Sequence, residues 1–315
     1  MGQDQPQFSA VMLHPRYWLL WLALGVCWLI ARMPYPWLMA LGRGVGALFQ
    51  AFAKERKRIA AINLQMCFPA LSEAERSQLL RRNMREMGVG FIELLMAWFR
   101  PRARLENLLT VEGLEHIQAL GEQGAIVVTR HTCSVQLSVI LATMYHPFAG
   151  MYRRHKNPVL EYVQRRARQR MDPCRVVAFE RKEVRTMLRF LRQGAKVLYA
   201  PDQDYGIKQG VWARFFGVPA ATVTATSRFA KLGRAKVLVM DFERLPEGRG
   251  YRLVFEAPLA DFPSDDETAD VQRLNDIFEA QVRRAPETYL WVHRRFKTRP
   301  AGEPKPYGKK RKRRR

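Results

Sequence analysis

His131 and Gln136 are the residues whose types and spacing point first to chemistry. They stand in GAIVVTRHTCSVQLSVILA, residues 124–142. The apolar run 125–128 reads as a buried strand, 129–134 as a polar turn and 135–142 as an apolar helix face. Strand, turn and helix in that order put His131 at the carboxyl end of a strand, where open α/β sheets usually bind their ligands. Four residues separate His131 from Gln136. A helix beginning near Thr132 would set the two side chains about one turn apart, close enough for the amide to orient the ring. A histidine so held can act as a general base on an attacking hydroxyl while its polar partner fixes the tautomer. The same histidine also reads as a loop residue with locally satisfied hydrogen bonds. Cys133 raises a cysteine–histidine nucleophile, which ranks low because neighbouring turn residues rarely point at one another.

The elements that must position His131 alternate from residue 111 onward. Candidate strands are 125–128, 148–152, 175–179, 196–200, 236–242 and 251–256; candidate helices are 135–144, 158–171, 182–193, 221–232 and 268–285. This pattern predicts an α/β fold, a mixed sheet with flanking helices. Before it, residues 54–99 read as helical, with Ser72 and Glu75 as a capping box for a helix ending near Gly88 and a further apolar helix over 88–99.

Composition narrows the partners. The 315 residues carry a net charge of +24, a field that attracts nucleic acid, anionic lipid or an acidic protein. No zinc-finger spacing, RNP motif or helix-turn-helix pattern accompanies it, so nucleic acid is not expected as a partner. The four cysteines, Cys27, Cys67, Cys133 and Cys174, lack metal-ligand spacing and a disulfide framework, which favours a reducing compartment.

The N-terminus decides among the remaining partners. Residues 17–31 form an uncharged, Trp-rich run between Arg16 and Arg32, with no small-residue cleavage site. At fifteen residues it is shorter than the roughly 20 of a comfortable span. It reads as a membrane-anchor helix, either one tilted span or a half-buried helix, rather than a core helix. Residues 36–53, interrupted by Gly42, Arg43, Gly44 and Gly46, read as an interfacial amphipathic helix. The tail 309–315, KKRKRRR, is a solvated run that can hold anionic lipid. The expected organisation is an N-terminal membrane anchor over 1–33, a catalytic domain over 34–300 and a basic C-terminal tail over 301–315. An excess of positive charge after the anchor puts the catalytic domain on the cytoplasmic side.

Three stretches carry a resemblance: YRRHKNP at 152–158, YAPDQDYG at 199–206 and YLWVHRRFKTRP at 289–300. In this order, after a His-x4 motif, they resemble the late acyltransferases of lipid A biosynthesis, within the wider glycerolipid and lysophospholipid acyltransferase group. The resemblance implies a bacterial inner-membrane enzyme that moves a fatty acyl chain from acyl carrier protein to a hydroxyl of a 3-hydroxyacyl chain on a phosphorylated lipid A precursor. No metal or redox cofactor is implied. By position, His131 matches the family's base and Gln136 stands where the family has Asp or Glu. Arg168 matches an arginine needed for activity and Asp202 an important aspartate. Arg153, Asn157 and Asp204 are candidates for the substrate cleft, and Arg294, Arg295, Lys297 and Arg299 read as phosphate contacts or surface charge. Asp202 and Asp204 also read as turn formers after a strand. Gln136 cannot stabilise an imidazolium by charge; in serine proteases the matching Asp-to-Asn change lowers the rate about 10⁴-fold. The alternative is therefore a catalytically impaired homologue that binds lipid or acyl carrier protein without transfer.

Overall fold

The computed structural model describes residues 7–152, 154–171, 177–180 and 183–308. Arg153, Cys174, residues 175–176 of one expected strand and the 309–315 tail lie outside the described residues. Four helices come first: α1 (Trp18–Ile30), α2 (Tyr35–Phe52), α3 (Lys54–Cys67) and α4 (Glu73–Phe99). The short α5 (Arg102–Glu106) leads into β1 (Leu109–Glu112), α6 (Leu114–Gln118), β2 (Ala125–Val128) and α7 (Val135–Ala142). Alternation continues through β3 (Phe148–Tyr152), α8 (Pro158–Gln169), β4 (Val177–Glu180), α9 (Val184–Arg192) and β5 (Lys196–Tyr199). A hairpin of β6 (Gly210–Phe215) and β7 (Val218–Val223) precedes α10 (Ala225–Gly233), β8 (Lys236–Arg244), β9 (Tyr251–Phe255) and α11 (Glu267–Arg284).

Seven strands form one mixed sheet in the order β1-β9-β8-β2-β5-β3-β4, parallel except for the β8–β9 pair. The central strand β2 is apolar and buried at every position because both faces are covered. Ile126 and Val128 of β2 face a core layer built with α3, α9 and α11, whereas Ala125 and Val127 face the layer of α2, α4 and α7. The same alternation splits Val237 and Val239 from Leu238 and Met240 on β8.

The structure adds β1, α5, α6 and β6 to the expected elements and departs from the expected ones as follows. The capping box at Ser72 and Glu75 is present, with Glu75 N–H donating to Ser72 Oγ at 3.3 Å and Ser72 N–H to Glu75 Oε2 at 2.7 Å. The helix it starts does not end at Gly88, however, but runs unbroken to Phe99. Gly88 is where α2 crosses: a Cβ there would lie 2.1 Å from the Gly46 nitrogen, and one on Gly46 would lie 2.5 Å from Arg85 Cα. Gly42 and Gly46 of α2 and Gly88 of α4 thus bring two backbones together rather than ending helices. Second, the helix expected from 221 begins at Ala225, because the chain first completes β7. The β6–β7 turn holds Phe216 and Gly217 at φ of 53° and 74°, as a two-residue primed turn demands. Third, no helix among the described residues is long and apolar enough to cross a membrane, so the expected spanning form of the 1–33 anchor finds no such helix.

Candidate active site

His131 leaves β2 three residues after Val128, and Asp202 leaves β5 three residues after Tyr199. These strands are neighbours, parallel, with Val128 opposite Tyr199. That register carries the two side chains to the same height above the carboxyl edge of the sheet, where they meet. His131 N–H donates to Asp202 Oδ2 at 2.9 Å, and the ring Nδ1 hydrogen-bonds to Oδ1. Tyr289 O–H donates to Oδ2 at 3.0 Å. The carboxylate is thus buried and engaged on both oxygens, while the His131 side chain keeps 22% exposure toward a cavity.

The segment that delivers Tyr289 is itself sewn to the His131 turn. Thr132 bridges Tyr289, Leu290 N–H donates to His131 O at 3.1 Å, and Cys133 N–H donates to Thr288 O at 2.8 Å. Arg130 points to the other side of the turn, where its buried guanidinium meets Asp241 and, at 2.6 Å, Gln281 Oε1. The turn therefore has anchors before, at and after the histidine.

Burial works against a charged imidazolium, yet the Asp202 charge and hydrogen bond outweigh it and raise the His131 pKa above its ordinary value. Burial likewise disfavours the Asp202 carboxylate, and His131 with the buried Arg295 overcomes it, holding the carboxyl below the usual range. His293, in the same C-terminal segment, is pushed down to about 4 by burial, so it stays neutral near neutral pH. With Nδ1 committed to Asp202, Nε2 is the ring nitrogen left to take a proton.

His131 lines a cavity of about 200 Å³ whose other walls are largely apolar: Trp98, Val139, Ile140, Phe148, Met151 and Leu198. Gln136 and Arg168 line it as well. Gln136 is the main correction. The orienting partner of the His131 ring is Asp202, not Gln136, because α7 begins at Val135 rather than near Thr132. His131 therefore sits in a non-helical turn, one-turn spacing does not apply, and Gln136 lies exposed at the cavity wall. Gln136→Glu should accordingly leave kcat within about threefold of the parent, since the charged partner is already supplied by Asp202; steady-state acyl transfer measures this.

The other candidates separate as well. Asn157 caps α8, its Oδ1 accepting from Val159 N–H at 3.0 Å and Leu160 N–H at 3.3 Å, and does not line the cavity. Asp204, fully buried, accepts from Gly206 N–H, Thr298 N–H and Thr298 O–H at 2.7–2.9 Å, which ties the 201–206 loop to the C-terminal segment instead of facing substrate. Of the cations read as phosphate contacts or surface charge, Arg295 and Arg299 are internal fasteners, whereas Arg294 and Lys297 make their bonds at the surface. Arg295 is 1% exposed and donates to Ala221 O and Thr222 Oγ1. Arg294 pairs with Glu55, Lys297 donates to Asp204 O, and Arg299 donates to Pro219 O and pairs with Glu303. Burial raises the Cys133 thiol pKa, which disables it as a nucleophile. Among the described residues no group of three His, Cys, Asp or Glu side chains is placed to hold a metal ion. Tyr289, Trp98 and Arg130 were not singled out from sequence; Tyr289 lies in one of the three resemblance stretches, but nothing local marks its hydroxyl as a partner of Asp202.

The site is thus a histidine held by a buried carboxylate at the sheet edge and opening on a largely apolar cavity. The chain belongs to the bacterial lipid A biosynthesis acyltransferases, whose family model matches residues 5–298. It is 39% identical over 305 residues to the lipid A biosynthesis lauroyltransferase of Escherichia coli (strain K12), covering 96% of this chain and 99% of that one. It is also 39% identical to the palmitoleoyltransferase of that organism, over 95% of this chain and 97% of the other, and 30% identical to its myristoyltransferase, over 97% and 95%. The protein is thus an acyltransferase of lipid A biosynthesis.

Proposed function

We propose that the protein transfers a fatty acyl chain from the thioester of acyl carrier protein to the hydroxyl of a 3-hydroxyacyl chain on a phosphorylated lipid A precursor, at the cytoplasmic side of the bacterial inner membrane. The observation that carries the mechanism is the Asp202–His131 pair at the wall of the apolar cavity. Asp202 holds the Nδ1–H tautomer, so Nε2 takes the acceptor hydroxyl's proton as the oxygen attacks the thioester carbonyl. The tetrahedral intermediate collapses, the C–S bond breaks, and the leaving thiolate recovers the proton from Nε2. Ester and free thiol are the products, and His131 returns to its neutral state. The net charge of +24 favours encounter with a small acidic donor protein. Arg168 lines the same cavity, which supports a role in meeting an anionic group of substrate or intermediate.

The test is incubation of detergent-solubilised protein with acyl carrier protein thioesters and a lipid A precursor, read by mass spectrometry. The expected result is a mass increase of one acyl group in the parent and none above background in His131→Ala. Binding of lipid or carrier protein by the parent without transfer would replace this reading with that of an impaired homologue.

A further inference from the structure

Asn83 lies on α4 and is fully buried, although its neighbours Leu79, Leu80 and Met84 show that this part of the helix is packed with apolar side chains. A buried amide is costly unless its donors are used. Asn83 Nδ2 donates twice, to Glu287 O at 2.7 Å and to Tyr289 O at 2.8 Å. Because both partners are carbonyls, only the NH₂ end of the side chain can face them. Nδ2 also lies 3.9 Å from Cys133 Sγ, in the His131 turn itself. About two helical turns further along α4, Gly90 meets the same residue, since a Cβ there would lie 2.2 Å from Cys133 O. α4 therefore backs both the His131 turn, at Cys133, and the C-terminal segment, at Tyr289.

Asn63 of α3 makes the comparison that isolates this role. It too is fully buried, and its Nδ2 donates to Trp291 O at 2.6 Å and His293 O at 2.7 Å, while Oδ1 accepts from Tyr307 O–H. The two amides grip one segment by the same chemistry at different points. Asn83 grips it within 287–290, where the segment bonds to the His131 turn. Cys133 N–H donates there to Thr288 O, Thr132 bridges Tyr289, Leu290 N–H donates to His131 O, and Tyr289 O–H reaches Asp202 Oδ2. The Asn63 grip falls beyond these bonds.

We propose that Asn83 is a positioning residue for acyl transfer: by fixing the Tyr289 main chain to α4, it sets where the Tyr289 hydroxyl meets Asp202 and so aligns the carboxylate with the His131 ring. This role presupposes that Asp202 and His131 carry out the transfer. Without the amide, Tyr289 can shift and take its hydroxyl away from Asp202. A displacement of about 1 Å at a reacting centre can cost about 10²-fold in rate.

Asn83→Ala, Asn63→Ala, Tyr289→Phe and the double variant Asn83→Ala/Tyr289→Phe are compared in detergent for kcat, for KM of each substrate and for melting temperature. Asn83→Ala and Tyr289→Phe are each expected to lower kcat by about 10- to 100-fold, with both KM values within about twofold of the parent. The double variant is expected within about threefold of the slower single variant, because the two residues act in series. Asn63→Ala is expected to lose as much melting temperature as Asn83→Ala and to keep kcat within about threefold of the parent. Asn83→Ser, which can donate one hydrogen bond but not span two carbonyls, replaces Asn83→Ala if that variant does not fold. The ring is followed without turnover by proton NMR of ¹⁵N-histidine-labelled protein. The His131 Nδ1–H resonance, identified by its loss in His131→Ala, is expected to be sharp and far downfield in the parent and in Asn63→Ala. In Asn83→Ala it is expected to broaden or move upfield.

Three results would each overturn the proposal. Equal losses of kcat in the two asparagine variants reduce Asn83 to a contributor to stability. Multiplicative losses in the double variant separate Asn83 from Tyr289. A parental Nδ1–H resonance in Asn83→Ala means that the amide does not align the pair. A parent that transfers no acyl group overturns the acyl-transfer reading instead, and the resonance alone then decides whether Asn83 holds Asp202 and His131 together.

Discussion

Asp202→Asn is expected to lower kcat for acyl transfer by about 10³–10⁴-fold while leaving the fold intact. The amide is isosteric and still accepts the Tyr289 hydrogen bond, but it cannot stabilise the positive charge that His131 acquires when it takes the hydroxyl proton. It can also present its NH₂ to Nδ1 and favour the wrong tautomer. The pH profile gives a second readout. In the proposed reaction His131 works as a base only when neutral, so its raised pKa should place the acid limb of kcat/KM above the ordinary histidine value near 6.5. Without the Asp202 charge, burial dominates and the limb moves to lower pH even as the plateau falls. The sign for stability follows the same pair. His131, raised, contributes below about pH 6.5 and loses that contribution as pH rises through its folded value. Asp202, lowered, contributes above about pH 3.9 and loses it on acidification. The ionic pair therefore stabilises the fold most between about pH 4 and 6.5, and melting temperatures of parent and Asp202→Asn should diverge most in that window. Rates and thermal melts between pH 4 and 9 check both statements. A variant within tenfold of the parent, with an unmoved limb, would remove Asp202 from the orienting role.

Arg244→Ala is expected to destabilise the protein by about 3–5 kcal/mol, because it strands one fully buried and one partly buried carboxylate. Arg244 ends β8 and donates to Glu93 Oε1 at 2.9 Å and Glu86 Oε2 at 2.6 Å, both on α4; Tyr251 O–H of β9 shares Glu93 Oε1 at 3.0 Å. Glu93 is fully buried and Arg244 16% exposed, so solvent screens the cluster little. Burial already raises Glu86 against the pull of Arg244, and without the guanidinium its carboxyl should rise further. Groups raised above their unfolded values favour the fold below those values and lose that advantage as pH rises. The deficit of Arg244→Ala should therefore shrink on going from pH 7 to pH 5. Urea denaturation at the two pH values measures it, and Arg244→Met combined with Glu86→Gln and Glu93→Gln should recover a large part. An equal deficit at both pH values would show that lost packing, not stranded charge, is responsible.

What was legible in the sequence is what local pattern encodes. The apolar run before His131, the polar turn and the apolar helix after it place the histidine at a strand's carboxyl end without reference to any distant residue. The alternation from residue 111 onward predicts a mixed sheet with helices on both faces, and the Ser72–Glu75 pair specifies a helix start, since all its hydrogen bonds close within four residues. The three motif stretches indicate the acyltransferase family over nearly the whole chain.

Only the tertiary structure decided which residue holds the ring. Asp202 lies 71 positions from His131 and reaches it because β5 pairs with β2 in a register that raises both residues equally. Strand order is set by how helices cover the sheet, not by the composition of either strand, so one-turn spacing pointed to Gln136 instead. The same holds for Gly88, which reads locally as a helix end and proves to be a seat for α2 because the neighbouring backbone is invisible from the chain. It holds also for Arg295 and Arg299, where charge suggests surface or phosphate while the carbonyls of Ala221 and Pro219 draw the cations inward. Periodicity and charge are properties of neighbours in sequence; hydrogen-bond partners of buried groups are chosen by neighbours in space.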